Sequence, residues 1–287
     1  MPVRAIALCL AAGMSIQLGA AFAVTLFDRL GPGGAVMLRL LFGTVILLAV
    51  FRPVVRGRSR RDLGLVLVFG VVLGLMNWTF YESLQRIPLG ASVALEMIGP
   101  LGVAVLGSRR PRDLAWVVLA GVGIVVLADP FGTPLDLEGS LLAFLAGMFW
   151  GSYILLSARI GAVWSGASGL ALAMVAASLV VIPAGIIQAG SSLLEPELLA
   201  AGALVGLMCT VIPYSLEMEA LRTLPEGVFG VLMALEPGLA VLAGALVIGQ
   251  SPSAADLLAI ALVVAAAAGA AATIRRDRPA GVAVPVP

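Results

Sequence analysis

The stretch PLGASVALEMIGPLGVAVLG (88–107) is apolar over most of its length, yet it carries Glu96 at its centre and Pro100 four residues later. About 20 apolar residues are needed to cross the roughly 30 Å of a bilayer's hydrocarbon, and this stretch has that length. A charge at the bilayer centre costs roughly 2.5–3.5 kcal/mol on insertion scales, so such a residue faces a cavity or a partner. Proline removes a donor and frees a backbone carbonyl one turn earlier, which is tolerated in a span where the backbone lines a cavity. Together these features predict a membrane-crossing helix, locally broken, beside a polar space.

The stretch has an echo. Residues 82–100 and 219–237 align without gaps at an offset of 137, matching Glu82 with Glu219, Pro88 with Pro225, Gly90 with Gly227 and Pro100 with Pro237. Glu236 stands directly before Pro237 and lies near the middle of its own apolar run. On the alignment it falls opposite Gly99, so the two acids are near-symmetric, about one turn apart, and not equivalent.

Working outward, the chain holds ten apolar runs, at 4–27, 34–51, 63–84, 88–107, 113–129, 138–158, 167–188, 197–221, 225–249 and 253–274. With a cytoplasmic N-terminus, fourteen of the 17 basic residues, all arginines, fall on cytoplasmic segments. Only Arg29 and Arg86 fall opposite, and Arg39 lies inside the second run. That asymmetry supports ten spans with both ends cytoplasmic. Five spans per half is an odd number, so the halves have opposite orientations. The expected fold is an all-α integral membrane protein of ten transmembrane helices, built as two inverted-topology five-helix repeats at 1–130 and 131–275. A Pro-rich cytoplasmic tail at 276–287 is expected to be disordered. The first run, ending in Ala21-Phe22-Ala23, also admits a signal-peptide reading, but the arginine pattern requires that it stay.

Composition narrows function. Of 287 residues, 61% are hydrophobic and 11% charged, against roughly 25% charged in soluble proteins. This excludes a soluble globule, a disordered chain and a nucleic-acid binder with a basic face. The absence of histidine removes His-based metal sites, Ser-His-Asp and Cys-His systems. Cys9 and Cys209 lie in apolar runs and read as packing residues. Walker A, H-E-x-x-H and G-x-S-x-G motifs are missing from the chain, so it is read as neither an ATP-driven pump nor an enzyme, with no cofactor, catalytic residue or metal. Energy then comes from an ion or substrate gradient.

The candidate pathway consists of the polar residues placed inside spans. Glu96 and Glu236 read as proton carriers or counter-ions to a substrate amine; the alternative is a neutral or paired glutamate joining two helices. Arg39 suits a carboxylate bidentately, or reaches the interface about five residues away. Gln17, Asn77, Tyr81, Tyr153 and Tyr214 either line the path or make interhelical hydrogen bonds. Glu82, Glu217 and Glu219 lie near span ends, as interfacial or gate-forming residues. Pro100 and Pro237 are the expected breaks. Trp78, Trp116, Trp150 and Trp164 fit interfacial anchoring. Gly70/Gly74, Gly147/Gly151 and Gly202/Gly206 read as close helix crossings.

The segments SIQLGAAFAVTLF (15–27), LRLLFGTVILLAVFRP (38–53), PLGASVALEMIGPLGVAVLGSRRPRDLAWVVLA (88–120), IPYSLEMEALRTLP (212–225) and FGVLMALEPGLA (229–240) resemble the drug/metabolite transporter superfamily in its EamA-type, ten-helix form, and within it the threonine/homoserine exporter branch. The resemblance covers 15–275. It implies ten helices around a central cavity, alternating access, and export of small amino acids by proton antiport at the bacterial inner membrane. Arg39, Glu96, Pro100, Tyr214, Glu217, Glu236 and Pro237 fall on matching motif positions. The implied partners are a small amino-acid or metabolite substrate, protons and the lipid bilayer; composition excludes nucleic acid, and the internal duplication, which supplies both inverted halves in one chain, leads to an expected monomeric transport unit. Two positions depart from the branch: Val24, often basic there, and Gln250, usually glutamate. A carrier of another metabolite or a drug, and a non-transporting membrane scaffold, are the rival readings.

Overall fold

A computed structural model describes residues 3–106, 114–127, 135–164, 168–221, 229 and 232–277. Among the described residues the chain is helical, without strands. The elements are α1 (Val3–Val24), α2 (Phe27–Phe51), α3 (Arg60–Leu84), α4 (Leu89–Glu96), α5 (Ile98–Leu106), α6 (Leu114–Leu127), α7 (Leu137–Val163), α8 (Ser168–Ala189), α9 (Pro196–Gly206), α10 (Ile212–Leu221), α11 (Glu236–Ile248) and α12 (Ala254–Asp277). A 3-10 turn, Gly190–Leu194, follows α8, and a π segment, Leu207–Val211, joins α9 to α10. Among the described residues, six helices are long and apolar enough to cross a membrane, and four more apolar helices are shorter. The expected tail at 276–287 lies almost wholly outside the described residues.

Caps mark the starts. Ser59 and Asp62 form a reciprocal box at α3, with Ser59 Oγ accepting from the Asp62 N–H at 3.1 Å. Asp136 Oδ1 accepts from the Gly139 N–H at 2.7 Å at α7, and Ser253 and Asp256 pair ahead of α12. Each satisfies donors that a helix start leaves unpaired.

Both proline breaks occur, at the turn preceding each ring. Met97 separates α4 from α5, and the carbonyl deprived by Pro100 belongs to Glu96, four residues back. Ala234 and Leu235 form a turn, and α11 opens at Glu236-Pro237, where proline's fixed φ suits a first turn.

The second span starts close to where the sequence places it. A turn of helix from Phe27 ends at Gly31, which takes φ +63° and breaks the helix, and the chain runs helically again from Pro32 to Phe51. Arg39 lies seven residues into that segment and turns inward, onto the central cavity described below.

Packing is close because the contact faces are small. α2 packs on α8, α3 on α7 and α8, α6 on α12, α1 on α10 and α11, and α7 on α4 and α5. A Cβ on Gly70 or Gly74 would strike the backbone of Ala173 or Ala177 on α8. One on Gly99 would overlap the Gly147 carbonyl, and one on Gly147 would meet the Glu96 carbonyl at 2.6 Å. Leu67, Val118, Leu141, Leu155, Leu179 and Leu246 point outward and are exposed, the surface a helical bundle presents to lipid.

Candidate functional site

A cavity of about 440 Å³ lies at the centre of the bundle. Seven residues singled out in the sequence line it: Gln17 from α1, Arg39 from α2, Asn77 from α3, Glu96 from α4, Tyr153 from α7, Glu217 from α10 and Glu236 from α11. Glu96 and Glu236 are each the residue at a proline break, so their buried positions follow from the interrupted helices. Pro100 and Pro237 act as the breaks and are not wall residues. Tyr214 belongs to α10, but its side chain lies outside the described residues.

Tyr81 differs from the sequence reading. It is fully buried behind the wall, with the Arg39 guanidinium carbon 5.4 Å from its ring centroid and Phe27 and Phe80 against its other sides. A large ring facing three neighbours from the core fills space there; it supports Arg39 rather than lining the path.

Glu217, Glu236, Glu96 and Arg39 all face this cavity, from α10, α11, α4 and α2. The cavity has a direction as well. Its lining reaches Leu47, Leu170, Glu217 and Phe229, near the ends of α2 and α10 and the start of α8, at the arginine-rich end of the bundle. The opposite end carries a cluster of ion pairs and hydrogen bonds between helices. Arg29 pairs with Glu195 and Glu197. Arg86 Nη2 donates to Glu138 at 2.9 Å, and Gln188 Nε2 donates to Glu82 at 2.8 Å. Trp78 Nε1 also donates to Glu82, at 3.0 Å. Glu82 is thus part of a polar closure joining α3 to α8. At the arginine-rich end, Arg4 meets Glu219 at 3.7 Å, and Arg58 stacks on Trp164 while donating to the Val163 carbonyl at 2.9 Å.

Trp164, read as an interfacial anchor, is instead 2% exposed beneath Arg58. Trp150, read likewise, lines the cavity with Thr210 and Cys209. Sequence reasoning missed all three as wall residues. The available signal was weak: Trp150 directly precedes Gly151 of a small-residue crossing, and Thr210 stands three residues before Pro213. The π segment that carries Cys209 and Thr210 has no sequence mark, though such bulges recur at functional sites. A second hollow, about 460 Å³, lies between the starts of α4 and α12 and contains Gln250 but none of the cavity charges.

Apolar helices long enough to span a bilayer, gathered around a buried and charged cavity, define a polytopic membrane protein of the carrier type. A family model described as "EamA-like transporter family" matches residues 137–271. The chain is 43% identical over 267 residues to "Threonine/homoserine exporter RhtA" of Salmonella typhimurium (strain SL1344), covering 92% of this chain and 90% of that one. It is 43% identical over 282 residues to the protein of the same name in Escherichia coli (strain K12), covering 96% and 95%. "Uncharacterized transporter YwfM" of Bacillus subtilis (strain 168) is 27% identical over 208 residues, covering 69% and 70%. A crystal structure at 22% identity superposes with a TM-score of 0.64 over 95% of this chain and 99% of its own, a likeness of fold. The chain belongs to the EamA-like transporter family, in the branch of the threonine/homoserine exporters.

Proposed function

We propose that the protein is an inner-membrane secondary transporter that exports threonine- or homoserine-like amino acids by alternating access, coupled to proton entry. The observation that carries the reading is one cavity in which a guanidinium, Arg39, stands among three carboxyls drawn from both halves of the chain. A zwitterionic amino acid offers each a partner: its carboxylate goes to Arg39 and its ammonium to Glu96 or Glu236. Pockets for small molecules run from about 300 to 1,000 Å³, and this one is at the small end. The names of the relatives support the substrate class.

Ten spans in two inverted repeats, 1–130 and 131–275, are part of this reading. Exchanging each helix for its counterpart in the other half maps the α2–α8 and α6–α12 contacts onto themselves. The same exchange maps α3–α7 onto α1–α10, and α5–α7 onto α1–α11. That self-consistency supports an internal two-fold relation and a transport unit complete in one copy. With the arginine-rich end in the cytoplasm, the cavity faces inward and the closure around Arg29, Arg86 and Glu82 lies outside.

The cycle begins with substrate entering from the cytoplasm. The halves then rock, opening the outer closure. A proton from outside neutralises the glutamate and displaces the ammonium. After return, the proton leaves by way of Glu236 and Glu217, which lead back to the cytoplasmic end. Purified protein in liposomes loaded with labelled threonine should release label faster under an inward proton gradient. Glu96→Gln should insert and fold but lose that dependence. Gradient-dependent release by Glu96→Gln at the wild-type rate would overturn the coupling role. The excess of carboxyls over guanidinium in the cavity favours a second reading, a carrier of cationic metabolites or drugs. Full transport by Arg39→Ala would select it.

A further inference from the structure

Among the described residues, Gln17 Oε1 is a buried side-chain oxygen without a hydrogen-bond partner, and it belongs to a cavity-lining residue; Arg39, Tyr81 and Cys209, by contrast, interact with one another. A buried polar atom without a partner carries its full desolvation cost, so one retained at a binding cavity awaits a ligand group. Arg39 is already matched to a carboxylate. Gln17 has no such assignment, although it is 2% exposed and on the wall.

The backbone around Gln17 is held firmly. Ser15 Oγ donates to the Met208 carbonyl at 2.8 Å, and Cys209 Sγ donates to the Ile16 carbonyl at 3.5 Å. Gly19 has no room for a Cβ beside Cys209 and Met208. α1 is thereby held against the π segment at Ser15, Ile16 and Gly19, on both sides of Gln17, and the carboxamide is presented on a fixed frame. Two other polar groups near the cavity are already engaged: Asn77 Nδ2 donates to the Leu73 carbonyl at 2.9 Å, and Thr44 shares a 2.9 Å hydrogen bond with Ser178.

We propose that Gln17 determines specificity by hydrogen-bonding the side-chain hydroxyl of the substrate, selecting hydroxy-amino acids over alkyl amino acids of the same shape. The inference rests on the amino-acid reading above. With ammonium and carboxylate taken by the charged residues, the side chain is what remains to be distinguished. A hydroxyl both donates and accepts, and a carboxamide offers both an acceptor and a donor, so the pair fits in either sense. A site built to bond a hydroxyl discriminates strongly against the analogue lacking it, because the site's own polar group is then left buried and unpaired.

The test compares threonine with valine, its isostere, and homoserine with norvaline, by counterflow in liposomes for wild type, Gln17→Leu and Gln17→Asn. Wild type is expected to prefer each hydroxy-amino acid at least tenfold. Gln17→Leu should lose at least tenfold in threonine flux while keeping or raising valine flux, so the ratio collapses in a protein that still transports. Gln17→Asn keeps the amide one carbon further back, so its homoserine-to-threonine ratio should rise. An unchanged threonine-to-valine ratio in Gln17→Leu overturns the inference. Were Gln17→Leu to insert poorly, an unchanged homoserine-to-threonine ratio in Gln17→Asn overturns it instead. Wild type that moves none of the four amino acids refutes the amino-acid reading itself, a result distinct from either.

Discussion

Replacing Gly147 with alanine probes the crossing that seats Glu96. The added Cβ would lie 2.6 Å from the Glu96 carbonyl oxygen and 3.1 Å from its carbonyl carbon and Cα, whereas ordinary contact begins at 3.4 Å. The backbone at the α4–α5 break must therefore retreat by about 0.8 Å, the difference between 3.4 and 2.6 Å. It has little freedom to do so, because Gly99, one turn on, is itself pressed against Gly147 and Gly151. Overpacking of this kind costs about 1–3 kcal/mol, and alanine's better helix preference returns only about 0.5–1 kcal/mol. A net loss of about 1–2 kcal/mol should lower the Tm by several degrees. The functional effect should be larger. Misplacement of a functional group by about 1 Å can cost about 100-fold, so threonine flux should fall at least tenfold. Gly102→Ala is the control: nothing lies within 4 Å of its Cβ, and that variant should keep both Tm and flux. Thermal unfolding in detergent and flux in liposomes are read on the same preparations. A Gly147→Ala protein matching Gly102→Ala in both would refute the claim that this crossing positions Glu96.

Other consequences are open to simpler tests. Arg29, Glu195 and Glu197 are exposed to solvent, so their pairing is screened and biases the two conformations only modestly. In a background without Cys9 and Cys209, Arg29→Ala should slow labelling of Thr210→Cys by an impermeant maleimide added at the arginine-rich end; an unchanged rate would remove the closure's role. Thr44→Val deletes hydrogen bonds to Ser178 and the Met174 carbonyl, and should cost about 0.6 kcal/mol, seen as a small drop in Tm with flux unchanged. Gln250 Oε1 accepts from the Leu89 N–H at 3.2 Å at the start of α4. Gln250→Glu should keep that contact and gain about 0.3–1 kcal/mol from the helix dipole, so a lowered Tm would contradict the capping role.

The class of the molecule is written in its local chemistry. Apolar runs of spanning length, arginines gathered on alternate connections, and Glu96 and Glu236 beside prolines are properties of the chain's local chemistry, and they hold wherever the helices pack. Proline's effect is local too, so both breaks follow from Pro100 and Pro237 with no knowledge of neighbours. What lies across a helix interface is not a local property. Tyr81 and Asn77 are four residues apart on α3, yet one is sealed behind Arg39 and the other faces the cavity. Trp164 and Trp150 read alike as anchors, until α3's approach to α7 brings Arg58 over one and the cavity beside the other. The π segment shifts the register of the chain at Leu207–Val211, turning Cys209 and Thr210 to the wall, and no residue in it announces that turn. Those assignments were decided by tertiary packing, because a side chain's surroundings come from helices distant in sequence, set by where glycine and alanine let backbones meet.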